Sequence, residues 1–157
     1  MVNESPDIVE YREAIRAGRR GPFLYASLLG IRAHNYLTIV KILKKGLEYR
    51  SFERFQRNTR LSTSELIGAV TIPLRTLHRR KGTGRLGPDE SDRVVRFSRV
   101  FGRALELFEG DADAARSWLS KPLRALGGES PLVLARTDLG TREVEALIDR
   151  LEHGVIN

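Results

Sequence analysis

The sequence predicts an all-α protein, two small helical units behind an N-terminal extension. Three observations predict it. Apolar residues recur at three- and four-residue steps through most of the chain, and no stretch sustains the alternation of a half-buried strand. Helix start and stop residues punctuate those periodic stretches. The charge is also divided: residues 1–60 hold 12 Lys/Arg against 6 Asp/Glu, residues 61–85 hold 5 against 1, and residues 86–157 hold 10 against 13. A basic front is joined to a mildly acidic rear, which suggests two surfaces with different partners.

In chain order, residues 1–34 form an extension with no recognisable pattern, and their removal is expected to leave the chain's activities partly intact. Asn35 caps a helix carrying Leu37, Ile39, Val40 and Leu43; Gly46, after Lys44 and Lys45, stops it. Ser51 caps a short helix with Phe52 and Phe55. Ser62-Thr63-Ser64-Glu65 is a capping box, in which Ser62 and Glu65 each satisfy a first-turn backbone group, and it opens a helix with Leu66, Ile67 and Val70. After a break at Thr71-Ile72, Pro73 suits a helix's first turn, and Leu74 and Leu77 continue the apolar pattern among cations. Gly82-Thr83-Gly84 reads as a flexible linker, dividing a unit at 35–85 from one at 86–157.

In the rear unit, Pro88 with Asp89, Glu90 and Asp92 opens the longest helix. Its stripe of Val94, Phe97, Phe101, Leu105 and Phe108 makes it the spine. Asp111 caps a helix with Ala115, Trp118 and Leu119 that Pro122 closes. Gly127-Gly128 turns the chain, Ser130-Pro131 starts a short helix, and Thr141 caps the last, with Val144, Leu147, Ile148 and Leu151 inward.

Several function classes drop out. With no cysteine among 157 residues there are no disulfides or thiolate metal sites, which fits a reducing cytoplasm. His34, His78 and His153 lie in separate segments without metal-ligand spacing, so no metal is expected. Carboxylate clusters such as Asp89, Glu90 and Asp92 read as helix-end charges, and no nucleophile has a base nearby, so no catalytic residue and no cofactor are assigned. Residues 82–87 match the glycine pattern of a dinucleotide loop, but no strand precedes them and no βαβ unit surrounds them. The N-terminus lacks a signal-peptide pattern and no apolar run is long enough for a bilayer, so the protein is expected in the cytoplasm, off the membrane.

The constellation that carries chemistry spans Leu61 to Lys81. Two short amphipathic helices around a tight break, the second densely basic, have the form of a helix-turn-helix. On that register Leu66, Val70, Ile72 and Leu77 are core. Arg75, His78 and Arg79 face bases, Arg80 and Lys81 meet phosphates, and Thr76 is counted with them as a DNA-binding residue. Glycine is common where Thr71 stands, so a longer or differently bent turn is also open. A plain helical hairpin with a solvated basic face fits the same residues.

From Asn35 onward, and most closely from Leu61, the chain resembles the Xre/MbcA/ParS-type antitoxins partnered with RES-domain toxins. The resemblance rests on IPLRTLHRRKGTGRL and on PDESDRVVRFSRVFGRALELFEGDADAARSWLSKPLRALGGESPLVLARTDLGTREVEALIDRLEHGV. It implies a helix-turn-helix domain at 35–85 and a toxin-binding domain at 86–157. It also implies a homodimer that represses its own operon and forms a hetero-oligomer with an NAD-consuming toxin, covering the toxin's active site. Trp118, Leu119, Leu126, Gly127, Gly128 and Pro131 are the expected docking surface, since a tryptophan beside a rigid turn makes a good interface anchor. Glu152, His153, Gly154, Val155 and Ile156 form a tail suited to insertion into the toxin, or a frayed terminus. A stand-alone helix-turn-helix regulator without a toxin partner is the competing reading.

Overall fold

The structure, a computed structural model, describes residues 3–154, which fold into nine α-helices and two 3-10 turns with no strand among the described residues. The helices are α1 (Pro6–Arg16), α2 (Tyr36–Lys45), α3 (Tyr49–Thr59), α4 (Thr63–Val70), α5 (Leu74–Thr83), α6 (Pro88–Leu107), α7 (Ala112–Ser120), α8 (Pro131–Leu134) and α9 (Asp138–Glu152). The 3-10 turns are Leu24–Leu29 and Arg124–Leu126.

Capping explains most boundaries. The side chains of Asn35, Ser62, Asp111 and Ser130 accept from first-turn N–H groups, and Ser62 and Glu65 complete their capping box. Two starts differ from the sequence reading. Ser51 lies inside α3, because the Tyr49 N–H donates to the Gly84 carbonyl at 2.9 Å and is satisfied before Ser51 is reached. Thr137, not Thr141, caps α9; Thr141 is buried and its hydroxyl donates to the Thr137 carbonyl at 2.8 Å.

The spine is α6. Val94, Phe97, Val100, Phe101, Ala104 and Leu105 are buried along it, and Phe55 of α3 meets the Phe97 and Phe101 rings edge-on at 5.9 and 6.2 Å. The same helix packs against α2, α3 and α4 on the front side and α7 and α9 on the rear, so one continuous core serves both units.

Residues 82–86 are not a free linker. Gly82 and Thr83 belong to α5, Leu86 is buried, its N–H donates to the Leu47 carbonyl at 2.8 Å, and Arg85 pairs across to Glu48. Gly46 permits this approach, since a Cβ there would lie 2.3 Å from the Leu86 carbonyl oxygen.

Nor is the N-terminal segment an appendage. Ile8, Tyr11 and Ile15 of α1 and Tyr25, Ala26, Leu28 and Leu29 of the first 3-10 turn belong to the central core. Gly102 on α6 lets them in: a Cβ there would lie 2.6 Å from the Tyr11 hydroxyl and 2.9 Å from Tyr25. Polar contacts lock the segment to α3. Arg54 pairs with Asp7 at 2.7 Å, and the Asn58 amide donates to Asp7 and to the Leu28 carbonyl. The Arg54 guanidinium, outweighing partial burial, holds the Asp7 carboxyl below the usual aspartate range. A lowered folded-state value means this clamp's contribution is present above the ordinary aspartate pKa and is lost as the pH falls through the lowered one. Acid melts of Asp7→Asn should therefore lie below the parent at neutral pH and converge with it at low pH.

Thr71 settles the turn between α4 and α5. It adopts φ 52° and ψ 43°, and its N–H donates to the Ile67 carbonyl, so the turn keeps its short length with a β-branched residue in the left-handed region. That conformation costs about 1–2 kcal/mol, and the exposed side chain makes no hydrogen bond among the described residues. Thr71→Gly is expected to raise the melting temperature by roughly 2–4 °C after allowing for the more flexible unfolded chain, with α5 unchanged by circular dichroism.

Candidate nucleic-acid interface and partner-binding surface

The front face is set by one inward residue. Leu77 is the buried residue of α5, sealed against a core that includes Leu66, Val70 and Ile72. With 100° per residue, fixing Leu77 inward points Arg75 and Arg79 directly outward and His78 to one flank. All three, with Lys81, are exposed and have no hydrogen-bond or ion-pair partner among the described residues; Thr76 is half-buried on the other flank. While α4 is held between α6 and α8, α5 carries most of its surface into solvent. A helix presented this way can lie in a major groove with its N-terminal residues toward base edges.

Arg80 departs from expectation. Three residues after Leu77 it returns to the inner side, and its guanidinium meets Glu90 through Nε at 2.9 Å and Nη2 at 3.0 Å. Glu90 is also the capping residue of α6, accepting from the Gly87 N–H at 2.7 Å. Partial burial pushes the Glu90 carboxyl up, but Arg80 and the Gly87 N–H outweigh it and hold it below the usual glutamate range. Arg80 thus ties α5 to the spine rather than facing phosphates.

On the rear face the expected docking residues divide. Leu119, Leu126 and Pro131 are buried, so they shape the surface from beneath. Trp118 is half-buried, its ring tilted 59° on Phe108 at 6.2 Å. Gly127 and Gly128 are exposed, with φ of 69° and 88° that favour glycine. Glu152 is held by Arg103 at 3.3 Å, and the His153 Nδ1 lies 2.7 Å from the Asp149 carbonyl, which fastens the end of α9. Gly154 is exposed with φ 66°; Val155 and Ile156 lie outside the described residues.

The rear face also presents two apolar side chains that sequence reasoning missed. Leu139 is 71% exposed and Val133 38% exposed. A signal was available: five residues before Val144, Leu139 falls roughly 140° off the buried stripe of α9. The adjoining Gly140 fixes this corner, since a Cβ there would lie 1.9 Å from the Leu134 carbonyl oxygen. Leu151, expected inward, is instead 39% exposed at the helix's far end. Among the described residues no group of three His, Cys, Asp or Glu could hold a metal ion, and no helix is long and apolar enough to cross a membrane.

Both halves of the chain match known domains. Residues 39–99 match the antitoxin Xre-like helix-turn-helix domain, and residues 103–154 match the antitoxin Xre/MbcA/ParS C-terminal toxin-binding domain, so the two meet on α6. The chain is 38% identical over 130 residues to "Antitoxin Xre" of Yersinia enterocolitica, covering 82% of this chain and 88% of that protein. "Antitoxin Xre" of Photorhabdus laumondii is 35% identical over 117 residues, 74% of this chain and 79% of that protein. A Sphingobium protein named "Prs ADP-ribosylating antitoxin" is 25% identical over 142 residues, 85% of this chain and 87% of that protein. With a helix-turn-helix carrying unpaired cations in front and a toxin-binding domain behind, the chain belongs to the Xre family of antitoxins.

Proposed function

We propose that this antitoxin neutralises a RES-type, NAD-consuming toxin in the cytoplasm and represses its own operon, as a homodimer within a toxin–antitoxin hetero-oligomer. One observation carries the reading: a single core presents two unlike exposed faces, the unpaired cations of α5 and the apolar Val133 of α8 and Leu139 at the start of α9. The name of the Sphingobium relative includes ADP-ribosylation, a reaction that draws on NAD, which supports the NAD side of the reading. The division at residue 86 is then one of surfaces: operator contacts from 35–85, toxin contacts from 86–157. Arg75, His78, Arg79 and Lys81 serve the operator. Trp118, Gly127 and Gly128 are assigned to the toxin-contacting set together with Leu139 and Val133, and so are Glu152, His153 and Gly154 at the end of α9. Nothing in this scheme requires a cofactor.

Co-expression with the reading frame adjacent to this gene tests it. The tagged antitoxin should pull down the toxin at a fixed ratio by native mass measurement and preserve cellular NAD. Leu139→Asp with Val133→Asp should lose co-purification and let NAD fall, because two desolvated carboxylates would replace interface anchors. The variant should retain its melting temperature, both side chains being exposed in the free protein. A toxin bound as tightly by this variant would move the docking surface elsewhere.

A further inference from the structure

Leu74 is the first residue of α5 and is 48% exposed. Leu77 anchors the helix, and Leu74, packed on one side along an apolar groove, still leaves about half of its surface to solvent. Its neighbours give the reason to look outward. It lines a groove with the apolar Tyr49, Phe52, Leu66 and Ile67 of α3 and α4, and with His78 and Lys81, which follow it one and two turns along the same flank of α5. Arg75 stands beside it, exposed and unpaired among the described residues. The cations fit a polyanion, and the leading end of such a helix is the part that reaches base edges. In the major groove the apolar feature presented by a base edge is the C5-methyl group of thymine.

We propose that Leu74 reads the C5-methyl group of a thymine, giving the recognition helix an apolar contact beside the hydrogen bonds of Arg75. Burying Leu74 there removes its exposed surface from water, which a solvated position on a plain hairpin would not do. The inference rests on the operator-binding reading above.

The experiment uses the full-length antitoxin, or its toxin complex, and duplexes of its own upstream DNA. Each thymine is replaced singly by deoxyuridine, which deletes the methyl and keeps every hydrogen-bonding group. One thymine per half-site should weaken binding about fourfold on losing its methyl, the ratio for one buried carbon. Leu74→Ala should bind the unmodified operator more weakly and be indifferent to deoxyuridine at that position, while Leu74→Met should keep most of the preference. Loss of the methyl preference in Leu74→Ala at an unchanged melting temperature supports the contact. A wild-type protein indifferent to every deoxyuridine, or a Leu74→Ala variant with the same methyl penalty, overturns it and leaves operator binding standing. Failure of the wild type to prefer its upstream DNA over unrelated duplex would remove the operator reading itself, and the Leu74 contact with it.

Discussion

A chain beginning at residue 35 is expected to lose cooperative folding altogether. Ile8, Tyr11, Ile15, Tyr25, Leu28 and Leu29 are each at most 8% exposed, all within the central core. Burying one such side chain is worth about 1.5–3 kcal/mol, and six together rival the roughly 5–15 kcal/mol net stability of a whole domain. Truncation would also uncover the side of the spine around Gly102, where Tyr11 and Tyr25 pack, and a newly exposed apolar surface favours aggregation. The measurement is a thermal melt by circular dichroism with size-exclusion chromatography. A monodisperse product with a sharp transition would show that α1 and the first 3-10 turn are dispensable. The contrary expectation from sequence, partial retention of activity, came from treating an unpatterned segment as an unpacked one.

Replacing Arg75 and Arg79 together should lower operator affinity by about 30-fold to 10⁴-fold, at about 1–3 kcal/mol for each specific base contact. Both side chains are exposed and unpaired among the described residues, so the melting temperature should stay within a degree or two. Arg80→Ala makes the opposite prediction. Removing it leaves Glu90 half-buried without its cation at the first turn of α6, so the melt should fall while operator binding per folded molecule changes little. Anisotropy titrations at one salt concentration, paired with melts, separate the two. Equal loss of affinity in Arg80→Ala and in the Arg75/Arg79 pair would return Arg80 to the phosphate-facing set.

The sequence was most legible where a local rule acts alone. Ser62 and Glu65 form the capping box their spacing requires, Asn35 and Asp111 cap as expected, and the α6 stripe is buried. It failed where a partner distant in sequence decides. Ser51 is no cap because Gly84, some thirty residues away, supplies the first-turn partner for α3. Arg80 leaves the basic face because Glu90 lies beneath it. Leu119, Leu126 and Pro131 belong to the surface's foundation because α7, α8 and α9 close over them. Periodicity also conceals what it does not count: Leu139 looks like core in a list of apolar residues until the placement of Val144 turns it outward, and Leu74, only about 60° from Leu77, is left half-exposed by its place at the leading end of α5.

Among the described residues five helix-end or loop carbonyls are closed by an arginine from far along the chain, one of them Asn3, which accepts from Arg60 at 3.3 Å. Arg12 donates to the Gly110 carbonyl at 3.2 Å, Arg85 to Gly46 at 2.6 Å, Arg93 to Val70 at 3.0 Å and Arg116 to Thr59 at 3.2 Å. These guanidiniums do the work that glycine and water do at the ends of many helices, and a lysine could not reproduce their planar, directed donors. The formal charge of +7 is therefore a poor gauge of the antitoxin's pull on DNA. Part of the cationic surplus is internal bracing, already answered by backbone dipoles, and brings no counterion release when a duplex docks. Two relatives could share the same isoelectric point and differ widely in their grip on an operator, according to how many of their arginines are employed at home.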